Sequence, residues 1–193
     1  MPSTMIHLLT AYEVKKEAPD LFWVGNFAPD YVNEREFKDK IHFRDCINRL
    51  ESLKELKNKI DINNPFEEGW LLHLFADLCW DEEVISLFKE NHIKSGDSSD
   101  WFLKYRTETS LASYALFHSL EWSPKIWQQI LNADLSEIRK TLPVTAEDIS
   151  SFRIRVYQRH LETKTNFSLL YTEEMIKEFA KKTALKYLNW INK

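Results

Sequence analysis

Ile6, Leu8, Leu9, Ala11 and Val14 recur at helical spacing behind Ser3 and Thr4, which suit an amino-terminal cap. Lys15 and Lys16 follow, where a carboxyl-terminal turn favours positive charge. The pattern predicts a helix with His7 in its first turns. From Pro19 to Asn33 the periodicity fails: Pro19, Gly25, Pro29 and Asn33 interrupt the apolar run Leu21 to Val24, which reads as a loop through or beside the core. Helical spacing resumes over Asp45 to Ile62, with Ile47, Leu50, Leu53 and Leu56 set among charged residues. Asn64 ahead of Pro65 is a cap followed by proline at the first helical position. The stretch Trp70 to Trp80 behind it is apolar nearly all round, so this helix is expected at the centre of the molecule.

Downstream, the polar stretch Lys94 to Asp100 reads as a loop whose last residue caps a helix from Trp101 to near Trp122. A helix from Pro124 to near Leu135 follows. Thr145 and Asp148 have the spacing of a capping arrangement for a helix through Val156, and Thr172 with Glu173 and Glu174 opens an amphipathic helix to Trp190. Ile176, Phe179, Ala180, Ala184 and Tyr187 give that helix its apolar face.

With 193 residues the chain is long enough for one substantial core, and the expectation is a single all-α, multi-helix domain over residues 1–193. Three glycines leave little material for phosphate-cradling loops or a turn-rich sandwich, which strengthens the helical reading. A net charge of −4 gives no global attraction to nucleic acid or to an anionic membrane, so no long nucleic-acid partner is expected. No window approaches the length of apolar chain that membrane insertion needs. Cys46 and Cys79 are too far apart for a zinc ribbon or a redox Cys-x-x-Cys pair. The start of the sequence lacks a basic segment followed by an apolar one, so a cytoplasmic protein is expected.

The chemistry starts at His73 and Asp77. Their i, i+4 spacing sets an imidazole and a carboxylate on one face of an otherwise apolar helix, where they can converge on one cation. An ionised Asp buried without a partner costs several kcal/mol, so a metal, a cation or a hydrogen-bond network must stand beside it. From the residues alone, a ligand pair and a self-satisfying core pair both remain open. His42, Asp30 in the irregular segment, and His7 are each unremarkable singly.

Taken together they form a pattern. An early His, a Pro-Asp in a loop, a His about a dozen residues on, then His-x-x-x-Asp on an apolar helix, resembles the zinc-dependent phospholipase C superfamily and its single-strand nuclease relatives. Met1 to His7, Gly25 to Asp30 and Lys38 to Arg44 resemble more closely a small cytoplasmic branch labelled only as hydrolases. The resemblance covers about the first eighty residues. It implies a helical fold like that of the phospholipases, with Asp30, His42, His73 and Asp77 as the four ligands of one Zn²⁺. It also implies His7 and the second oxygen of Asp77 at a neighbouring ion, and Asp30 as the group that activates water. Two imidazoles and two carboxylates suit zinc, which lowers the pKa of water toward about 7.

The pattern also departs from that family. The phospholipases use a free amino terminus as a ligand, a few residues further from the first His than Pro2 is from His7. They have a His about ten residues after the first His of the helix motif, where this chain has Glu83, and then a His-x-x-x-Glu pair. The segment after Trp101 offers Lys104 four residues before Glu108, and later His118 before Glu121. Lys104, Glu108 and His118 are thus candidates for a second metal or for substrate, against the plainer readings of a surface pair and a core histidine. Arg44 and Arg106 are candidate anion clamps. Asp81 and Glu82 read as a solvated run, and the tryptophans mostly as core.

The function implied is metal-dependent hydrolysis of a small phosphorylated substrate, with Asp30 assisting as base. The alternative is a non-catalytic helical domain in which metal has a structural or interaction role. The other large helical class of metal phosphohydrolases needs a contiguous His-Asp dipeptide, and the sequence has none.

Overall fold

In the computed structural model, which describes residues 3–32, 34–136, 138, 142–168 and 170–193, the secondary structure is helical, with no strand among the described residues. Met1, Pro2 and Asn33, which entered the pattern above, lie outside them. Side-chain caps set many of the boundaries. Asn64 accepts from the amides of Phe66 and Glu67 to open a helix over Pro65–Trp80. Asp100 accepts from Phe102 and Leu103 to open Trp101–Ser119. Thr145 and Asp148 form a reciprocal capping box at Ala146–Glu162, and Thr172 caps Glu173–Ile191.

In chain order the helices are α1 Thr4–Val14, α2 Asp20–Phe27, α3 Arg35–Ile41, α4 Arg49–Lys59, α5 Pro65–Trp80, α6 Ser86–Lys94, α7 Trp101–Ser119, α8 Ser123–Asn132, α9 Ala146–Glu162 and α10 Glu173–Ile191. A 3-10 turn, Ala28–Tyr31, continues α2, and a π-helical turn, Asp81–Ile85, joins α5 to α6.

Several boundaries differ from the periodicity. Most of the segment read as a loop is helical, over Asp20–Phe27 and Ala28–Tyr31: α2 runs through Gly25, which is there for close approach rather than to break the helix. A Cβ on Gly25 would fall on the carbonyl oxygen of Phe66, and one on Gly69 on that of Phe22, so α2 and α5 lie backbone to backbone. The expected helix over Asp45 to Ile62 begins only at Arg49, where Asn48 accepts from Glu51 N, and Ile47 is fully exposed ahead of it. A separate α3, capped by Glu34, precedes it, so His42 ends one helix instead of preceding another. Ser3 does not cap α1, because its hydroxyl donates to Thr109 O at 2.8 Å. The helix from Trp101 stops at Ser119, and the one from Ala146 runs past Val156 to Glu162.

α5 is the central element. All its side chains except Glu68 and Pro65 are buried, and it packs on α1, α2, α4 and α10. α1 lies among α2, α5, α7 and α10, while α8 and α9 close the side of α2 and its 3-10 turn. The buried apolar residues form one continuous cluster, from Met5 and Trp23 through Trp80 and Trp127 to Tyr187. Within this apolar volume α1 and α5 carry the buried ionisable groups His7, His73 and Asp77, and Glu67 is buried at the start of α5. Among the described residues no helix is long and apolar enough to cross a membrane.

Candidate metal centre

His73 and Asp77 lie one turn apart on α5, as their spacing requires, and three other segments converge on them. His7 comes from α1, Asp30 from the 3-10 turn after α2, and His42 from the end of α3. Asp77 divides its two oxygens between neighbours. Oδ2 lies 3.3 Å from His42 Nε2 and 3.9 Å from His73 Nε2, and Oδ1 lies 3.4 Å from His7 Nε2. Asp30 Oδ1 is 3.6 Å from His42 Nε2. The ring of His7 stacks on that of His73 with centroids 3.7 Å apart and 10° between planes. Two overlapping triads have ligand atoms within 4.8 Å of one another: His7, Asp30 and His73, and His42, His73 and Asp77.

The backbone fixes how two of the rings are protonated. His42 Nδ1 lies 2.7 Å from Lys38 O, and His73 Nδ1 lies 2.7 Å from Asn26 O. A carbonyl only accepts, so both Nδ1 atoms carry hydrogen and both Nε2 atoms present lone pairs. Those lone pairs face each other at 3.3 Å. Asp77 Oδ1 and both ring nitrogens of His7 are buried with no hydrogen-bond partner, while Asp30 Oδ1 has the Lys38 ammonium 2.9 Å away. One nitrogen of His7 carries a hydrogen, but the facing Nε2 lone pairs of His42 and His73 and the Asp77 oxygen beside them are acceptors gathered away from water, and they repel unless a cation stands among them. The donor set fits a divalent metal on that ground.

The electrostatics favour the ligand-competent protonation states. Burial pushes the pKa of His73 well down, and the neighbouring His7 adds to this against the pull of Asp30 and Asp77. Burial also lowers His42, despite the two carboxylates. Burial alone would raise Asp30, but Lys38, whose Nζ is 2.9 Å from Oδ1, and then the imidazoles outweigh it, so the carboxyl stays well below its usual range. At Asp77 burial is outweighed by Arg44, whose Nη2 stands 3.4 Å from Oδ2. Metals need neutral imidazoles and ionised carboxylates.

Arg44 reaches the cluster because of the turn after α3. Phe43 takes a left-handed backbone, φ 53°, uncommon for a bulky residue, and it sends the chain back so that His42 and Arg44 face the same group. Asp81, expected as solvated, accepts instead from Arg44 Nε at 3.1 Å and from Arg49 Nη1 at 2.7 Å. Lys38, Arg49 and Asp81 had drawn no role from the sequence. Lys38 alone left a signal, since it lies one turn before His42 on the same helix face.

No family model, curated protein or solved structure matches the chain.

The later candidates are placed elsewhere. Lys104 is exposed and pairs with Asp97 at 3.0 Å, not with Glu108, which accepts from the Ser168 hydroxyl. Arg106 is exposed over the ring of Phe102. His118 is no core histidine: it is exposed on the last turn of α7, 3.1 Å from Thr163 O. Glu83 turns away to Lys182 and Lys186 on α10. Their partners are not those of the cluster. The cluster draws all its members from residues 7–81.

Proposed function

We propose that the protein is a metal-dependent hydrolase of small phosphoesters, with one zinc ion held by Asp30, His42, His73 and Asp77 and with His7 beside it. The observation that carries the reading is the facing of two imidazole lone pairs, His42 Nε2 and His73 Nε2, at 3.3 Å among carboxylate oxygens. Nitrogen and carboxylate donors suit zinc's borderline character. Such an ion supplies Lewis-acid polarisation of a phosphoryl oxygen and a lowered pKa for water. The likeness to the zinc-dependent phospholipase C pattern in residues 7–77 supports the same reading.

The chain's own groups do the rest. Lys38 O and Asn26 O hold the two rings in the tautomer and orientation that ligation needs. Of the two carboxylate ligands Asp30 is the nearer to solvent, with 14% of its side chain exposed against 0% for Asp77, so it is placed to meet water entering the site. The Lys38 ammonium makes it a weak base. It therefore serves first as a ligand, and it accepts a proton only as the Lys38 contact loosens. Both cysteines are free, in keeping with a reducing cytoplasm.

One observation favours a second reading, a purely structural metal: His7, His42, His73 and Asp77 are at most 1% exposed, and closed sites are the structural kind. Metal analysis of the purified protein, followed by a panel of phosphoesters with the wild type and His73→Ala, separates the two. The hydrolase reading expects zinc in the wild type, its loss in His73→Ala, and turnover that disappears with it. Bound metal without His73-dependent turnover on any ester supports the structural role, and no bound metal sinks both.

A further inference from the structure

Two guanidiniums stand against the carboxylates of α5 and of the turn beyond it. Arg44 is pinned on two edges, with Nε on Asp81 and Nη2 on Asp77 at 3.1 and 3.4 Å. A guanidinium has five N–H donors. Arg44 Nη1 is 3.9 Å from Asp39 Oδ1, too far for a hydrogen bond, so this nitrogen's donors are free. Nη2 of Arg49, behind it, is buried without a partner. Arg44 keeps 22% of its side chain exposed, more than Asp77 at 0% or Asp30 at 14%. A rigid planar cation therefore offers free donors beside a metal ligand and within reach of solute. Planar forks of this kind match phosphate geometry.

Charge selects among phosphates. Among the described residues, the three carboxylates Asp30, Asp77 and Asp81 stand against an equal number of cations, Lys38, Arg44 and Arg49. Asp39, further out, is 3.8 Å from Arg35. With the imidazoles neutral, as ligands must be, this ring is balanced before any ion enters it. A divalent cation leaves two positive charges in a mostly buried site. A terminal phosphoryl group carries nearly two negative charges at neutral pH, because its second pKa is about 6, whereas the phosphate of a diester carries one. Only the former restores balance.

We propose that Arg44, backed by Arg49, is the binding group for a dianionic phosphoryl group, and that the site takes phosphomonoesters in preference to diesters. The assignment rests on the metal-dependent reading above.

Calorimetric titration of the zinc-loaded protein at pH 8 tests it, with inorganic phosphate and dimethyl phosphate as probes and zinc content measured on every sample. The wild type is expected to bind phosphate at least tenfold more tightly than dimethyl phosphate. Arg44→Gln, with its zinc retained, is expected to lose at least tenfold in phosphate affinity. Arg44→Lys, which keeps the charge without the fork and guards against a variant that fails to fold, falls between. Arg106→Gln, exposed on α7, matches the wild type. Phosphate affinity in Arg44→Gln within twofold of wild type, or equal binding of the two anions, overturns the assignment. So does loss of zinc along with phosphate in both Arg44 variants, since Arg44 then merely supports the ligands. A wild type that takes up no zinc overturns the metal-dependent reading itself.

Discussion

Gly25 and Gly69 are reciprocal contacts across α2 and α5, each lying where a Cβ would fall on the other helix's carbonyl oxygen. Neither backbone can step aside within a helix. Gly25→Ala or Gly69→Ala should therefore cost at or above the top of the usual overpacking range of about 1–3 kcal/mol. That corresponds to a fall in Tm of roughly 10 °C for a chain of this size. α2 also carries the Asn26 carbonyl that orients His73, and it leads into Asp30, so zinc content should fall with stability. A Gly69→Ala protein that melts and binds zinc like the wild type would show that the helices part freely.

His160 makes stability depend on pH apart from the metal centre. It is 4% exposed, its Nδ1 lies 2.8 Å from Val156 O, and its Nε2 accepts from the Ser113 hydroxyl at 2.9 Å. Burial pulls its pKa from 6.5 to about 4. The unfolded chain therefore takes up a proton near pH 6.5 that the folded chain refuses. The stabilisation is full above about pH 6.5 and is lost as pH falls toward 4. At 1.36 kcal/mol per pKa unit, about 2 kcal/mol goes between pH 7 and pH 5. Chemical denaturation of wild type and His160→Gln at both values checks this. The gap between them should narrow by that amount on acidification, and a constant gap would refute it.

Lys38 competes with a metal for Asp30, from 2.9 Å away. Lys38→Met removes a positive charge from beside the incoming cation, and zinc affinity should rise about tenfold, equivalent to about 1.4 kcal/mol. The metal-free protein should lose stability at the same time, because Asp30 is left without its counterion. Competition against a chromogenic chelator reads the affinity. Unchanged or weaker binding would mean that Lys38 helps to build the site.

Trp80 Nε1 donates to the Tyr105 hydroxyl at 2.7 Å, with both side chains at most 2% exposed. Tyr105→Phe strands that buried donor and should cost about 1–3 kcal/mol. Zinc content should stay at the wild-type level, which makes this variant a control for general destabilisation. Loss of zinc here would tie the metal site to overall stability and not to its ligands.

What was legible in the sequence was local chemistry. Asn64, Asp100, Thr145 and Thr172 announce their helices because a cap acts within one turn. His73 and Asp77 announce themselves because helical spacing alone puts them on one face. α2 was hidden, since Gly25 reads as a breaker in the chain and only the presence of α5 shows why glycine is required. The setting of Arg44 was hidden too. It depends on the positive φ at Phe43 and on Asp81, which is 37 residues away. The candidates Lys104, Glu108 and His118 were drawn from a spacing argument that fixed their helix but not the face on which each would find a partner.

α1, which carries His7, is covered on one side by α5 and on another by α10. During synthesis α5 is made early, whereas residues 173–191 leave the ribosome long after Asp77. Until they do, one flank of α1 stays bare, and the segments bearing the imidazoles have no finished wall to settle against. A nascent chain interrupted before α10 would therefore hold every residue of the cluster and still lack the scaffold that keeps them in register. In this architecture α1 waits for a helix made long after it.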